Sequence, residues 1–151
     1  LRASGADAEF LRAEDVVSIA PYDAVVLGSA VYAGRWLEPA RRLTERHHTE
    51  LRERPTWLFS SGPIGEPLEP TEEPTDGRRL LTVLRAREHR VFAGKLFSDD
   101  LDWVERTISG LLRAPDGDFR NWTEIRAWAR AIAASLVPAS ASASASASAS
   151  A

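Results

Sequence analysis

Val25-Val26-Leu27-Gly28-Ser29-Ala30-Val31-Tyr32-Ala33-Gly34-Arg35-Trp36 is the stretch on which the reading of this chain turns. A short β-branched apolar run breaks at Gly28-Ser29 into small residues that present a tyrosine and a tryptophan, and a helical pattern follows at once. Continuous apolar runs of this kind belong to strands of parallel sheets covered on both faces, and ligands of such sheets sit at the carboxyl ends of the strands. Residues 22–30 therefore read as a buried central strand that opens onto an aromatic-edged loop.

Thr56-Trp57-Leu58-Phe59-Ser60 reads as a second buried strand, ending in Ser61-Gly62-Pro63, again a small-residue break where a ligand would lie. Between the two, residues 37–53 read as one helix, with Pro39 in the first turn, where a missing N–H costs nothing. Leu37, Ala40, Leu43, His47 and Leu51 form its apolar side. Arg90-Val91-Phe92-Ala93-Gly94-Lys95-Leu96 supplies a third strand. A helix is expected over residues 101–112, with Asp99 and Asp100 at its N-cap and Leu101, Val104, Ile108, Leu111 and Leu112 on one side. A last helix is expected over residues 122–136, with Asn121 and Glu124 in N-cap and N3 relation and Trp122, Ile125, Ala129, Ile132 and Leu136 along one face. Ahead of these, Ala8-Glu9-Phe10 reads as a short strand and residues 13–19 as a helical or turn-like piece closed by Pro21. Residues 64–79 set Gly65, Pro67, Pro70, Pro74 and Gly77 among acids and read as a long loop. Alternation of buried strand and amphipathic helix makes the chain α/β.

Composition narrows the function classes. At 151 residues and 44% hydrophobic, residues 1–137 suffice for one domain with a core. Beyond Pro138 the sequence alternates Ala and Ser to Ala151, with nothing large enough to bury, and reads as a disordered low-complexity tail. The net charge of -3, with arginines interspersed among acids, argues against a nucleic-acid partner. The absence of cysteine excludes disulfides, thiolate nucleophiles and cysteine metal sites. No apolar run reaches the ~18 residues of a membrane span and no signal-peptide order is present, so a soluble, cytoplasmic protein is expected. The chain starts at Leu1 and holds no methionine, so further sequence is expected upstream.

Other chemistry fits poorly. His47-His48 lies among arginines and glutamates and reads as a solvated helix face, and with His89 the three histidines make no metal site. Asp99, Asp100 and Asp102 are explained by helix capping. A receiver domain needs an acidic phosphoacceptor at a strand end, where this chain has Gly28-Ser29 or Ser60-Ser61. Neither serine pair has the strand-Gly-x-Ser-x-Gly-helix context of a hydrolase nucleophile.

Four blocks in order, Gly28-Ser29-Ala30-Val31-Tyr32-Ala33-Gly34-Arg35-Trp36, Leu58-Phe59-Ser60-Ser61-Gly62-Pro63, Phe92-Ala93-Gly94-Lys95 and Gly117-Asp118-Phe119-Arg120-Asn121-Trp122, resemble flavodoxin-domain proteins, and more narrowly the branch that includes the quinone-linked protoporphyrinogen dehydrogenases. The resemblance covers residues 6–136. It implies a flavodoxin-like, doubly wound parallel sheet with helices on both faces, binding FMN at the strand ends. The family's opening strand and hydroxyl-rich phosphate loop precede residue 1, so the resemblance places here only the flavin-ring side of the site. It implies that Ser29, Ala30, Val31, Tyr32, Ala33, Gly34, Arg35 and Trp36 lie beside the isoalloxazine, and that Ser61, Gly62 and Pro63, with Ile64 and Gly65, close over it.

The residue types suit that role. A flat electron-rich ring wants an aromatic face, nearby backbone N–H groups and little side-chain bulk. Gly28, Ala30, Ala33, Gly34 and Gly62 give clearance, and Tyr32 or Trp36 the face, although both rings also suit a core role. Arg35 could meet an anionic substrate or the pyrimidine carbonyls, or stand solvated. Trp57, Trp103, Trp122 and Trp128 read as packing residues. Within the narrower branch the implied reaction is oxidation of protoporphyrinogen IX with a quinone acceptor, in haem biosynthesis, at the inner face of the membrane if quinone-linked. Residues 97–120 are too short to hold the long insertion those enzymes carry near the final strand. Two alternatives stay open: an electron carrier without a substrate of its own, docking a basic redox partner through the acidic segment 66–76, and a cofactor-free fragment serving as an interaction module. Oligomeric state is not legible in these residues.

Overall fold

The computed structural model describes residues 1–32, 34–62, 73–96 and 117–136. They fall in two compact units, Leu11–Asn121, and Leu1–Phe10 with Trp122–Ala151. The larger unit is α/β: strands β1 (Val25–Tyr32), β2 (Arg35–Trp36), β3 (Thr56–Ser61) and β4 (Glu88–Phe92) form a sheet in the order β2-β1-β3-β4. β1, β3 and β4 are parallel, with Leu27 opposite Leu58 and Leu58 opposite His89. Helices α1 (Glu38–Arg46), α2 (His48–Glu53) and α3 (Thr75–Val83) supply the crossovers. A separate antiparallel pair, β5 (Lys95–Leu96) with β6 (Gly117–Asp118), sets Lys95 opposite Asp118.

Side chains alternate along a strand, so the register sorts the sheet into two faces. One face carries Leu27 and Ser29 of β1, Thr56, Leu58 and Ser60 of β3, and His89 of β4. Leu27 and Leu58 cluster there with Ala40, Leu43 and Leu51 of α1 and α2 and with Leu80 and Leu84 from α3 and its C-terminus. This is the core of the unit. The opposite face carries Gly28, Ala30 and Tyr32 of β1 and Trp57, Phe59 and Ser61 of β3. Phe59 lies over Gly28, where an added Cβ would come within 2.0 Å of its ring, and pairs with Phe92 at 6.2 Å between ring centroids. The Arg87 guanidinium covers Trp57 at 4.9 Å.

Several expectations are corrected. The central strand begins at Val25 and runs to Tyr32, and the chain does not leave it as an open loop: it turns at Gly34 (φ 75) and returns antiparallel, Tyr32 opposite Arg35 and Val31 opposite Trp36. A positive φ is what glycine tolerates, which is why the hairpin closes there. The helix expected over 37–53 breaks at His47 (φ -109, ψ 25), and Leu37 is its partly exposed N-cap rather than core. His47 is 6% exposed, not solvated, because it turns inward at the junction with its Nδ1 2.6 Å from Glu50 Oε2. His48 is half-buried. The long loop expected to residue 79 gives way at Thr75 to α3, which holds Gly77 in its interior.

The run expected over 90–96 is two strands, β4 and β5. Residues 8–10 form no strand, and Phe10 is exposed. Ala13–Asp15 is a single 3-10 turn. The helix expected over 101–112, its caps at Asp99 and Asp100, and Trp103 lie outside the described residues. In the smaller unit α4 (Trp122–Leu136) forms where expected and packs on the 3-10 turn Arg2–Ser4. It buries Trp128, Ile132 and Ala133, while Trp122 and Leu136 remain substantially exposed, so its inward face is rotated from the one the periodicity predicts.

Leu58 is fully buried between neighbouring strands and the helices above them. Leu58→Ala is expected to destabilise the protein by about 2–5 kcal/mol, read as a lowered Tm, whereas truncating an exposed residue such as Val17 should move stability by less than about 0.5 kcal/mol.

Candidate functional site

The parallel register sets Ala30 of β1 opposite Ser61 of β3, so the two small-residue breaks lie side by side at the carboxyl ends of adjacent strands. Gly62 continues past that pair, its N–H donating to the Phe92 carbonyl at 3.2 Å. A Cβ on Gly62 would lie 3.1 Å from the Cβ of Val31, so the second break is held tightly against the first. Ala30 is exposed and Ser61 half-buried.

Alternation separates the two candidate aromatic faces. Val31 and Trp36 are cross-strand partners on the helix-covered face, whereas Tyr32 projects to the other face, the one that carries Ala30 and Ser61. Trp36 is 2% exposed, and its indole N–H donates to Ser60 Oγ at 2.7 Å. Tyr32 is half-buried, and its hydroxyl is buried without a hydrogen-bond partner among the described residues. Buried hydroxyls are ordinarily paired, so this one stands apart from the other polar groups described.

The hairpin that carries these residues is clamped from several sides. The Trp36 backbone N–H donates to Asp76 Oδ2 at 2.9 Å, and Thr75 N–H donates to the Gly34 carbonyl at 3.2 Å, so the start of α3 holds β2 in place. Ser29 is 8% exposed, and its hydroxyl accepts the Leu37 N–H at 2.9 Å, which ties β1 to the start of α1. The Arg35 side chain is largely exposed, its Nε 3.9 Å from Asp76 Oδ2. Ala33, Pro63, Ile64 and Gly65 lie outside the described residues.

Below the hairpin runs a buried polar chain that sequence reading missed. Ser60 Oγ lies 2.9 Å from His89 Nε2, and His89 Nδ1 lies 2.8 Å from Glu73 Oε1. Arg78 Nε donates to Glu73 Oε2 at 3.3 Å. Hydrogen bonding by His89, then the Arg78 interactions, hold the Glu73 carboxyl below its usual range, against the opposing effect of burial. The order Ser-His-Glu matches a hydrolytic relay, yet Ser60 is fully buried and its oxygen already receives the Trp36 indole, leaving no approach for a carbonyl carbon. No local signal joins Glu73, in a proline-rich acidic stretch, to a histidine sixteen residues on.

The blocks 92–95 and 117–122 also meet: Phe119 N–H donates to the Gly94 carbonyl at 3.1 Å beside the β5–β6 pair. There Arg120 grips Asp118 at 2.6 and 2.7 Å and holds its carboxyl down to about 2. Among the described residues no group of three or more His, Cys, Asp and Glu is arranged to hold a metal ion, and no helix is long and apolar enough to cross a membrane.

The sequence model of the flavodoxin domain matches residues 1–121. No curated protein and no solved structure matches the chain.

Two predictions follow from the buried chain. A Cβ on Gly77 would lie 2.2 Å from His89 Cε1, and the ring cannot swing away without losing partners on both nitrogens. Gly77→Ala should therefore lower Tm, by about 1–3 kcal/mol of stability, although alanine is the better helix former by ~1 kcal/mol. Glu73 has a folded pKa below its ordinary 4.5, so the stability its charge contributes is present above that value and is lost as pH falls through the folded one. The Tm deficit of Glu73→Gln is expected to be present at neutral pH and to close on acidification below 4.5.

Proposed function

The chain belongs to the flavodoxin-domain family, and from that premise we propose that it binds FMN at the carboxyl ends of β1 and β3 and serves as an FMN-dependent redox protein. The observation that carries this reading is the Tyr32 side: an aromatic ring whose buried hydroxyl has no partner among the described residues, on the same sheet face as Ala30 and Ser61, at the ends of adjacent parallel strands. A ligand at those ends is what the topology favours. An added Cβ on Gly34 would meet nothing within 4 Å among the described residues.

In this reading Tyr32 provides the stacking face, and Ser61 and Gly62 the backbone edge, with Ala33 and Pro63 completing the two loops. Arg35 offers a planar donor from an exposed position. Trp36 acts from beneath as the buried anchor of the hairpin rather than as a second face, because its indole is already engaged by Ser60. Ser29 likewise serves by tying β1 to the start of α1. FMN, when bound, supplies the redox chemistry; the chain's residues orient the ring, limit water around it and set its hydrogen-bonding environment. Residues 1–137 would act as the flavodoxin-like domain, with the Ala-Ser tail outside it.

The finer reading, oxidation of protoporphyrinogen IX by a quinone, rests on the likeness of the four sequence blocks to that branch. An electron carrier that docks a basic partner through its acidic segment 66–76 is the second reading, favoured by the shortness of residues 97–120. Salt separates them: reduction by a basic partner weakens steeply with ionic strength, whereas oxidation of a small substrate does not.

Titration of FMN into the chain, followed by quenching of flavin fluorescence, is expected to give saturable binding that Tyr32→Ala weakens by roughly two- to tenfold, the range of one aromatic stacking contact. Tyr32→Phe, which keeps the ring and removes the hydroxyl, should lie between the two. Absence of quenching by the wild-type chain overturns the proposal.

A further inference from the structure

The Trp36–Ser60–His89–Glu73 chain has one consistent direction when the imidazole carries a single proton. An indole nitrogen can only donate, so Ser60 Oγ accepts from Trp36 at 2.7 Å. An ionised carboxylate can only accept, so His89 Nδ1 carries a proton and donates it to Glu73 at 2.8 Å. A neutral imidazole then presents Nε2 as an acceptor, and the Ser60 hydroxyl donates to it at 2.9 Å. Every bond points from Trp36 towards Glu73, the arrangement in which each polarises the next. The two ends therefore dictate the tautomer in the middle.

The chain crosses three strands. It begins on β2, passes through β3 and β4, and ends on the residue two positions before α3, whose next turn also holds the Trp36 backbone through Asp76. Exposure falls to 0% at Ser60 and 1% at the His89 side chain, then rises to 36% at Glu73. Buried hydrogen bonds of this kind are costly to break singly, because the remaining partner stays desolvated. Gly77 lies against the imidazole, where an added Cβ would come within 2.2 Å of the ring.

From this arrangement we infer that Ser60, His89 and Glu73 are positioning residues that act through Trp36 to set the β1–β2 hairpin, with His89 donating from Nδ1 to Glu73. None of the three reaches the Tyr32 face, since the indole they hold lies on the opposite side of the sheet. Their effect on a ligand is transmitted by the hairpin: Trp36 is two residues from the Gly34 turn and is the cross-strand partner of Val31, the neighbour of Tyr32. Where the consequence is expressed as flavin affinity, the inference rests on the FMN reading above.

Glu73 is the position at which to test it, because a third-exposed side chain outside a helix can be changed without emptying the core. Long-range proton–nitrogen correlation on histidine-labelled full chain should show His89 with Nδ1 protonated, in the wild type and in Glu73→Gln, whose amide oxygen still accepts. A bare Nδ1 overturns the inference. Glu73→Ala should speed hydrogen exchange of the Trp36 indole and of the Arg35 and Trp36 amides by roughly tenfold, the equivalent of one lost hydrogen bond. Glu73→Gln should restore most of the protection.

Unchanged exchange in Glu73→Ala overturns the positioning role, and Ser60→Ala, which removes the hydroxyl at the middle of the chain, repeats that test where it folds. FMN affinity is the second readout, expected to fall roughly tenfold in Glu73→Ala and less than about threefold in Glu73→Gln. Equal affinity in wild type and Glu73→Ala overturns the transmission to the flavin site. If the wild type itself binds no FMN, the functional reading fails, while the tautomer and exchange measurements still decide whether these residues set the hairpin.

Discussion

The parallel pairing of β1 with β3 is the constraint from which the rest of the larger unit follows. Its register, Val25 opposite Thr56 through Ala30 opposite Ser61, brings two segments thirty-one residues apart to the same end of the sheet. It also aligns side-chain alternation across the sheet, so that Leu27, Leu58 and His89 share one face while Gly28 and Phe59 share the other. A slip of one residue would exchange those faces and put Ser60 and His89 outside the core.

The consequence for the candidate site is a division of labour between two aromatics that look equivalent in sequence. The hairpin at Gly34 reverses the chain, so Tyr32 and Trp36, four residues apart, end on opposite faces. One ring is spent on packing, with its only polar atom bonded to a buried serine. The other keeps a hydroxyl without a partner among the described residues, on the face where the strand ends converge. Burying an indole with its N–H satisfied anchors the hairpin to the sheet from the helix-covered side.

The helix-covered side is unusually polar for a core. Ser29, Thr56, Ser60 and Asp76 are all buried there, and each has a partner: Ser29 the Leu37 amide, Thr56 the Leu51 carbonyl, Ser60 the indole and imidazole, Asp76 the Trp36 amide. Polar groups in a core cost stability when unpaired, and paired they restrict the packing to one geometry. Here they bind strand ends to helix starts, which fixes how the hairpin stands over the sheet.

By itself the sequence determined the α/β class and the positions of β1, β3 and α4 to within a few residues, because hydrophobic run length, proline and glycine placement and helical periodicity are local properties. It also carried membership of the flavodoxin-domain family, whose sequence model matches residues 1–121. The tertiary structure alone decided the rest. The helix break at His47, the start of α3 at Thr75, the return of the chain as β2 and the burial of Trp36 all depend on partners distant in sequence, such as Asp76 for the Trp36 amide and His89 for Ser60. A hydrogen bond between residues twenty-four or twenty-nine positions apart leaves no periodic trace. It forms only after the sheet register has brought the strands together, and that register is a property of the folded chain.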